Sequence, residues 1–277
     1  MSPYISSVIL ENDSDFQALM GQKIIVTGGG GSLGVALSIT LQQKGIECVF
    51  TDKEELDVLN KENVNRVLAE QNWDLVVHLA ADKHAPQGEA DPETTFLINS
   101  QGTTNIINSV NARNLNAKIK TRVVVASTCK ACDPETVYGA SKLIAERISL
   151  RGGHSVARFY NVVETSGNVF TIWEKIPKSS PIPVTPCHRF FLSINSAVSL
   201  LIRTMVVSRE IPGRYTINPG EPFYIPDLAK LIYPEREQIM IAPRRGDRLK
   251  EPLKSTSEHL EILTKDGNFW RIHSVHD

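Results

Sequence analysis

The chain has 277 residues, of which 41% are hydrophobic and 22% charged, and its 30 basic and 31 acidic residues leave a formal net charge of −1. This length can bury a large core, whereas the balanced charge disfavours a nucleic-acid-binding protein. No apolar run approaches the ~20 residues of a membrane span, and the N-terminus has no basic secretory signal. Four cysteines are too few for a disulfide scaffold. We therefore expect a globular cytoplasmic protein without a membrane span.

From Gly21 onward, short β-branched runs alternate with segments of helical periodicity. The predicted strands lie at 23–27, 46–51, 75–79, 122–126 and 155–160, and the predicted helices at 32–44, 62–70, 94–112 and 138–150. Near-continuous apolar strands separated by helices are typical of a parallel sheet that is covered on both faces. The predicted fold class is therefore α/β, with a doubly wound parallel sheet.

The remainder of the chain predicts a smaller, loop-rich lobe. After about Asn161 the alternation weakens and prolines become frequent. We expect residues 1–20 to be a lead-in whose first 16 residues are an extra helix or disordered. Residues 21–161 form a dinucleotide-binding domain and 162–277 mainly a small substrate-binding lobe. The lobe is interleaved with the sheet, because strands near 155–160 and 213–218 are expected to belong to that sheet.

A glycine-rich turn joins the first predicted strand to the first predicted helix, with glycines at 28, 31 and 34. Glycine permits positive φ and close approach to a pyrophosphate, and the helix N-terminus beyond it offers free N–H groups. Asp52, at the end of the second predicted strand, can bind the ribose hydroxyls of an adenosine. These features predict a Rossmann-type dinucleotide site. Its expected contacts are Gly28, Gly31, Ser32, Leu33, Gly34 and Asp52.

The residues around Asp52 bear on the choice between NAD and NADP. The Asp52 carboxylate would repel a 2′-phosphate, whereas Lys53 beside it could attract one. Asp57 stands where an acid could meet the adenine amino group. We expect NAD rather than NADP.

A tyrosine and a lysine follow the strand predicted at 122–126. Tyr138 and Lys142 are separated by one helical turn and therefore share a helix face. A lysine ammonium lowers the pKa of a nearby phenol, and a tyrosinate beside a nicotinamide can remove the proton of an alcohol. We therefore expect Tyr138 to be the catalytic base and Lys142 its partner, and we expect the Thr128 hydroxyl to bind the reacting alcohol.

Several further motifs occur in a fixed order between about Met20 and Leu253. Residues 80–86 are similar to A-A-x-K-H-V-P, residues 127–142 to S-T-D-K-A-x-x-P-x-x-Y-G-x-x-K, and residues 244–251 to R-P-G-E-K-L-x-E. This set resembles the extended short-chain dehydrogenase/reductases, in particular the nucleotide-sugar 4,6-dehydratase/5-epimerase branch of polysaccharide biosynthesis. One departure stands out, because Cys129 occupies the position at which that branch has aspartate.

The resemblance implies further site residues, a cofactor and a substrate class. It implies a tightly bound NAD or NADP that is oxidised and re-reduced within one turnover, and a UDP- or dTDP-hexose as the nucleotide-diphosphate sugar substrate. We also expect a homo-oligomer, a dimer or larger. The implied cofactor contacts are Ala80, Ala81 and Asn99, and the implied substrate contacts are Lys83, His84, Asn161, Arg189, Arg244 and Glu251.

The resemblance also implies a reaction in which the residue at position 129 donates a proton. Tyr138 deprotonates the C4 hydroxyl as hydride leaves, Lys130 removes the acidified C5 proton, and the aspartate of the family protonates the departing C6 hydroxyl. A thiol with an ordinary pKa of about 8.5 is still protonated at neutral pH. We expect Cys129 to take over as proton donor. The competing hypothesis is that elimination is lost and only C4 oxidation or C5 epimerisation survives.

Three other interpretations compete with this one. An NADPH-consuming 4-keto-sugar reductase would not need Lys130, and a non-catalytic dinucleotide sensor would not need the Tyr138–Lys142 pair. Cys129 and Cys132 are spaced as in some zinc sites, but they lie within the catalytic motif, so we expect no metal site. We expect His154, His259, His273 and His276 to lie at the surface.

Overall fold

The buried β-branched runs form strands close to where the sequence predicts them, in a computed structural model that describes residues 4–165 and 167–277. The strands are β1 Ile24–Thr27, β2 Cys48–Thr51, β3 Leu75–His78, β4 Arg122–Thr128, β5 Ser155–Phe159, β6 Asn161–Val162, β7 Ile182–Val184, β8 His188–Arg189, β9 Phe191–Leu192, β10 Arg214–Ile217, β11 Phe223–Tyr224, β12 Gln238–Met240, β13 Glu258–Ile262 and β14 Phe269–Ser274. The helices are α1 Asp13–Leu19, α2 Ser32–Gln43, α3 Lys61–Ala69, α4 Ala85–Ala90, α5 Pro92–Phe96, α6 Gly102–Asn114, α7 Val137–Arg151, α8 Val169–Glu174, α9 Ile194–Val207 and α10 Ile225–Ile232.

Within the described residues, eight strands form one sheet in the order β13-β14-β10-β5-β4-β3-β1-β2. The strands from β10 to β2 are mutually parallel, and the C-terminal hairpin β13–β14 continues the sheet in antiparallel pairing. The predicted doubly wound α/β fold is confirmed, and the hairpin is an addition to it. The strand order reverses between β1 and β3, and open sheets of this kind bind ligands at the carboxyl ends of the strands beside that point.

Alternate residues of the central strands contribute to two apolar cores on opposite faces of the sheet. Val124 of β4 packs in the core formed with α2 and α9, whereas its neighbours Val123 and Val125 pack in the core formed with α3 and α6. A third apolar cluster lies in the smaller lobe, around Trp173 of α8 and Phe191 of β9. Chain segments on both sides of β10 contribute to that lobe.

The helix predicted at 94–112 is interrupted in the structure. After α5, residues Leu97–Gln101 form a π-helical turn before α6 begins. Gly102, at the junction, lies so close to Val58 that a Cβ there would come within 2.7 Å of Val58 Cγ2. The wider turn and the missing side chain together let this segment pack against the chain after β2.

The lead-in is ordered over its described residues, and its first three residues lie outside them. Residues 6–10 have no regular secondary structure and run along α9, where serines recur at 193, 196 and 199. Ser7 Oγ lies 2.9 Å from Ser193 Oγ, and the Val8 backbone N–H donates to Ser196 Oγ at 2.8 Å. The expectation of an extra helix or disorder over residues 1–16 is therefore wrong for this segment, although α1 begins at Asp13.

His154 lies buried, and the expectation of a surface position is wrong. Its Nδ1 accepts the Val123 backbone N–H at 3.3 Å, and its Nε2 lies 3.1 Å from Asn111 Oδ1. Burial lowers the pKa of His154 to about 4, so the ring is neutral at pH 7. Among the described residues, none of the helices is both long and apolar enough to span a membrane.

Buried ion pairs connect α7, the sheet and the C-terminal hairpin. Arg158 of β5 lies 2.6 Å from Glu146 of α7 and 2.8 Å from Glu258 of β13. Arg214 of β10 lies 2.8 Å from both Glu146 and Asp277. A buried carboxylate is tolerated only when cations and hydrogen bonds compensate it. Here each guanidinium pairs with more than one carboxylate.

We expect Glu258 to make the fold acid-sensitive. Burial alone would raise the pKa of Glu258, but the hydrogen bond and charge of Arg158 lower it from 4.5 to about 2. A depressed folded-state pKa gives stabilisation that is present above the unfolded value and is lost as the pH falls through the folded one. The free energy of unfolding should therefore decline between pH 4.5 and about 2.

Glu258→Gln should lower the free energy of unfolding at pH 7 by about 3–5 kcal/mol, because it leaves Arg158 partly uncompensated. It should also flatten the decline in acid, and urea unfolding followed by circular dichroism at several pH values measures both effects. The control is Glu70→Gln, which removes the exposed pair with Arg66 and should change neither quantity measurably. An unchanged acid slope in Glu258→Gln would contradict this assignment.

Candidate active site

A cavity of about 680 Å³ opens at the carboxyl ends of β1, β3, β4 and β5, between the sheet and the smaller lobe. Most of the site residues that the sequence predicts line this cavity. They are Gly28, Gly31, Ser32, Leu33, Gly34, Asp52, Lys53, Asp57, Ala80, Ala81, Lys83, His84, Thr128, Lys130, Tyr138, Lys142, Asn161, Arg189 and Arg244. Three predicted residues, Asn99, Cys129 and Glu251, lie behind the lining.

The glycine turn packs so closely that side chains would not fit. Gly28 has a φ of +70°, and a Cβ there would lie 2.7 Å from the Ala80 backbone nitrogen. A Cβ on Gly34 would lie 2.5 Å from the Gly29 carbonyl oxygen. The N-terminus of α2 is therefore open toward the cavity, as a phosphate-binding turn requires.

Asp52 is already fixed beside this turn. Both of its carboxylate oxygens accept the Gly30 backbone N–H, at 2.9 and 3.1 Å. A Cβ on Gly30 would lie 2.5 Å from Asp52 Oδ2, so this close approach also depends on glycine. The acid therefore stands at the edge of the cavity where the sequence predicts a ribose contact.

Helix α7 carries the tyrosine and lysine pair. The Thr136 hydroxyl accepts the Gly139 backbone N–H at 3.0 Å and caps the helix. A Cβ on Gly139 would collide with the Lys130 carbonyl oxygen, so α7 is pressed against the turn that follows β4. This contact brings Tyr138, Lys142 and Lys130 to the same cavity.

Burial dominates the electrostatics of the pair. Burial raises the pKa of Tyr138 to about 12, and the groups that oppose this rise are the Lys130 ammonium and the Thr128 hydroxyl. Burial also lowers the pKa of Lys142 to about 8. Among the charges that act on the phenol, Lys130 lowers its pKa most, and the expectation that Lys142 lowers it stays a prediction.

Cys129 does not reach the cavity. Its side chain is completely buried in the core beneath β4, and its Sγ donates to Glu251 Oε2 over 3.6 Å. Burial raises the pKa of the thiol to about 12. The expectation that Cys129 gives its proton directly to the substrate does not fit this placement.

Asn99 binds protein groups and does not line the cavity. Its side chain accepts the Asp82 backbone N–H at 2.9 Å and donates to the Asp82 carbonyl at 2.8 Å. It also donates to Ser141 Oγ at 3.0 Å. The predicted cofactor contact is therefore corrected, since this amide fixes the loop after β3 to α7.

Glu251 is likewise not a substrate contact. The residue is only 6% exposed, and its Oε1 lies 2.7 Å from Lys130 Nζ while its Oε2 accepts Asn161 Nδ2 at 2.6 Å. Burial alone would raise the pKa of this carboxyl, but Lys130 and Arg189 hold it below its ordinary value. The glutamate stands behind the residues that line the cavity.

Two features of the lobe side go beyond the sequence prediction. Asp247 lies between the two predicted substrate arginines, 3.7 Å from Arg189 and 3.0 Å from Arg244. In addition, α8 contributes the apolar side chains of Ile172 and Trp173 to the cavity wall. Asp247 belongs to a motif already recognised, whereas the six residues of α8 are too few to show helical periodicity.

The cysteine pair shows no metal arrangement. Across residues 4–165 and 167–277, no group of three or more His, Cys, Asp or Glu side chains is placed to hold a metal ion. Cys132 Sγ instead accepts Arg158 Nη1 at 3.0 Å. This contact places Cys132 within the ion-pair cluster that joins β5 and β13.

We expect Lys130→Met to raise the pKa of Tyr138, because the substitution removes the cation that opposes the effect of burial. The ultraviolet difference spectrum of tyrosinate, with Tyr138→Phe subtracted, measures the phenol in the absence of any turnover. Lys53→Met provides the control, since it removes a different lysine from the cavity lining. A Tyr138 titration that is the same in Lys130→Met and the unmodified chain would contradict the assignment.

Comparison with known proteins identifies the family to which this chain belongs. Residues 50–272 match the family model described as polysaccharide biosynthesis protein. UDP-N-acetylglucosamine 4,6-dehydratase (inverting) of Campylobacter jejuni is 26% identical, over 91% of this chain and 83% of its own length.

Two solved structures share the fold. The X-ray structure of Pen from Bacillus thuringiensis has a TM-score of 0.75 and 22% identity, covering 93% of this chain and 89% of that one. The UDP-glucose 4-epimerase of Thermus thermophilus in complex with NAD has a TM-score of 0.72 and 19% identity, covering 84% and 90%. With the family match extending over most of its length, this chain belongs to the polysaccharide biosynthesis protein family, within the extended short-chain dehydrogenase/reductases that its motifs predict.

Proposed function

We propose that this chain is an NAD-dependent enzyme that oxidises the C4 hydroxyl of a nucleotide-diphosphate hexose and then dehydrates or epimerises the 4-keto sugar. The observation that carries this proposal is that Tyr138, Lys142 and Lys130 line the same cavity as the glycine turn. A dinucleotide on that turn and a sugar beside the tyrosine would therefore meet in one space. The family match and the dehydratase of Campylobacter jejuni support the substrate class.

The glycine turn fits a dinucleotide. Gly28 and Gly34 leave room for a pyrophosphate where a Cβ would meet backbone atoms, and Asp52 stands where it can bind the ribose hydroxyls. When bound, the nicotinamide would accept hydride from C4 and return it within the same turnover. The fixed carboxylate of Asp52 would repel a 2′-phosphate, which favours NAD over NADP.

Tyr138 would remove the proton of the C4 hydroxyl. Its phenol receives a hydrogen bond from the Thr128 hydroxyl and interacts with the positive charge of Lys130. Both interactions stabilise the phenolate against the effect of burial. Lys142, one helical turn away, would hold the ribose and bring a second cation to the phenol. Lys130 faces the sugar from the strand side and is the group available to accept the proton at C5.

The lobe side of the cavity suits a nucleoside diphosphate. Arg189 and Arg244 line it with Asp247 between them, and guanidinium groups bind phosphate oxygens in a bidentate manner. Ile172 and Trp173 of α8 add an apolar wall against which a base could pack. The cytoplasmic location and the homo-oligomeric assembly remain predictions.

Incubation with NAD and a panel of nucleotide sugars, starting with UDP-N-acetylglucosamine, tests the proposed function. Mass spectrometry without added reductant should show a product lighter by one water if the enzyme is a dehydratase, or an isomer of unchanged mass if it is an epimerase. Because Cys129 does not reach the cavity, the isomer is a real second outcome. The absence of any product, together with tight NAD binding, would contradict the enzymatic proposal. Stoichiometric consumption of NADPH would indicate a reductase instead.

Gly34→Ala should weaken NAD binding at least about tenfold, because the new Cβ would lie 2.5 Å from the Gly29 carbonyl and would push the turn out of place. Isothermal titration calorimetry measures the affinity. Gly45→Ala is the matched control, since a Cβ there meets nothing within 4 Å although φ is +70°. The control should lower stability slightly and leave the affinity unchanged. Equal affinities in the two variants would remove the glycine turn from the cofactor site.

A further inference from the structure

The carboxylate of Glu251 lies at the centre of a group of polar side chains behind the cavity. Its Oε1 is 2.7 Å from Lys130 Nζ and 3.3 Å from Arg189 Nε. Its Oε2 accepts Asn161 Nδ2 at 2.6 Å and the Cys129 thiol over 3.6 Å. Lys130, Asn161 and Arg189 line the cavity and Glu251 does not, so any effect of Glu251 on a substrate passes through these neighbours.

The charges around Lys130 determine the state of its amine. Glu251 faces it from the segment after β12, Tyr138 from α7 and the Cys129 thiol from the same turn, while Arg189 of β8 shares the carboxylate and is itself 3.7 Å from Asp247. Burial alone would lower the pKa of Lys130, but Glu251 raises it well above its ordinary value. The amine is therefore an ammonium ion at neutral pH, and an ammonium ion cannot accept the C5 proton.

We propose that Lys130 and Glu251 share one proton, and that Glu251 stores it while the Lys130 amine takes the proton at C5 of the 4-keto sugar. Glu251 is then a positioning residue that acts through Lys130. The inference rests on the proposed function, since it requires a 4-keto sugar in the cavity.

Protons and electrons balance in this step. One N–H bond of Lys130 breaks as its proton moves to Glu251 Oε1, which leaves a free amine and a neutral carboxyl group. The amine then takes the C5 proton, and the electron pair of that C–H bond passes into the enolate of the 4-keto sugar. If the C6 hydroxyl leaves, Lys130 gives it this proton, the C6–O bond breaks and water departs. Glu251 then returns the stored proton to the amine.

This arrangement assigns a different task to Cys129. The thiol donates to Glu251 and gives no proton to the sugar, so the cavity needs no carboxylic acid at position 129. Cys129→Ser keeps a donor in this place and should retain exchange at C5. A loss of exchange in this variant as large as that in Glu251→Gln would overturn the assignment.

The decisive variant is Glu251→Gln, which can hold Lys130 but cannot store a proton. Deuterium uptake at C5 of a substrate found in the sugar panel, measured in D₂O by mass spectrometry, should change little in the wild type between about pH 6 and about pH 9, because the pair keeps its one proton. In Glu251→Gln the uptake should be lost at the acid end of this range and should recover as the pH rises, because the amine is then free only after Lys130 has lost its proton to solvent.

Glu258→Gln is the matched control, because it removes a carboxylate of similar burial that pairs with Arg158 and not with Lys130. It should lower stability and leave the pH profile of exchange unchanged in shape. A loss of exchange in Glu251→Gln that is the same at every pH would indicate a merely structural role and would overturn the proposal.

A second measurement separates failure of this inference from failure of the proposed function. Acetic anhydride acetylates a lysine amine only in its unprotonated form, so the pH at which Lys130 is labelled reports its protonation without any substrate. Labelling should begin at a lower pH in Glu251→Gln than in the wild type, and equal profiles would overturn the pairing. If the wild type converts no sugar of the panel, the proposed function fails and with it the proton-storage step, whatever the labelling shows.

Discussion

The buried carboxylate of Glu146 holds the catalytic helix in place. It lies one helical turn after Lys142 on α7 and is completely buried, with Arg158 of β5 and Arg214 of β10 both within ion-pair distance. Because the two arginines come from neighbouring strands, α7 cannot slide or rotate without separating opposite charges in a medium of low dielectric constant. The position of Tyr138 over the sheet therefore depends on ion pairs that no substrate touches.

The clusters around Glu146 and Glu251 both bury a carboxylate among cations, but they differ in the cations. Around Glu146 and Glu258 the ion-paired cations are arginines, whose guanidinium groups do not release a proton in proteins, so these ion pairs support structure. Around Glu251 one of the cations is Lys130, and an ammonium group can pass its proton to a neighbour. An ion pair made with arginine is therefore structural, whereas one made with lysine can take part in proton transfer.

The glycine turn and the Tyr138–Lys142 pair could be predicted because each depends on residues close together in the sequence. The roles of Cys129, Asn99 and Glu251 could not. Each depends on which way a side chain turns once distant segments pack, and Glu251 meets Lys130 only after the segment following β12 returns to the sheet. The hairpin β13–β14 also escaped prediction, because its strands carry charged and aromatic residues instead of the apolar runs that mark the parallel strands.

The serine row on α9 has a consequence for how the lead-in can vary. The N–H groups of Val8 and Leu10 donate to Ser196 and Ser199, so the main chain contributes to holding the segment. Main-chain hydrogen bonds do not depend on which side chain a residue carries, proline excepted. The main-chain bonds to α9 therefore set where Val8 and Leu10 run, while the side chains of Ile5, buried in the apolar cluster of the smaller lobe, and Ser7, whose hydroxyl lies 2.9 Å from Ser193 Oγ, limit which residues the segment can carry.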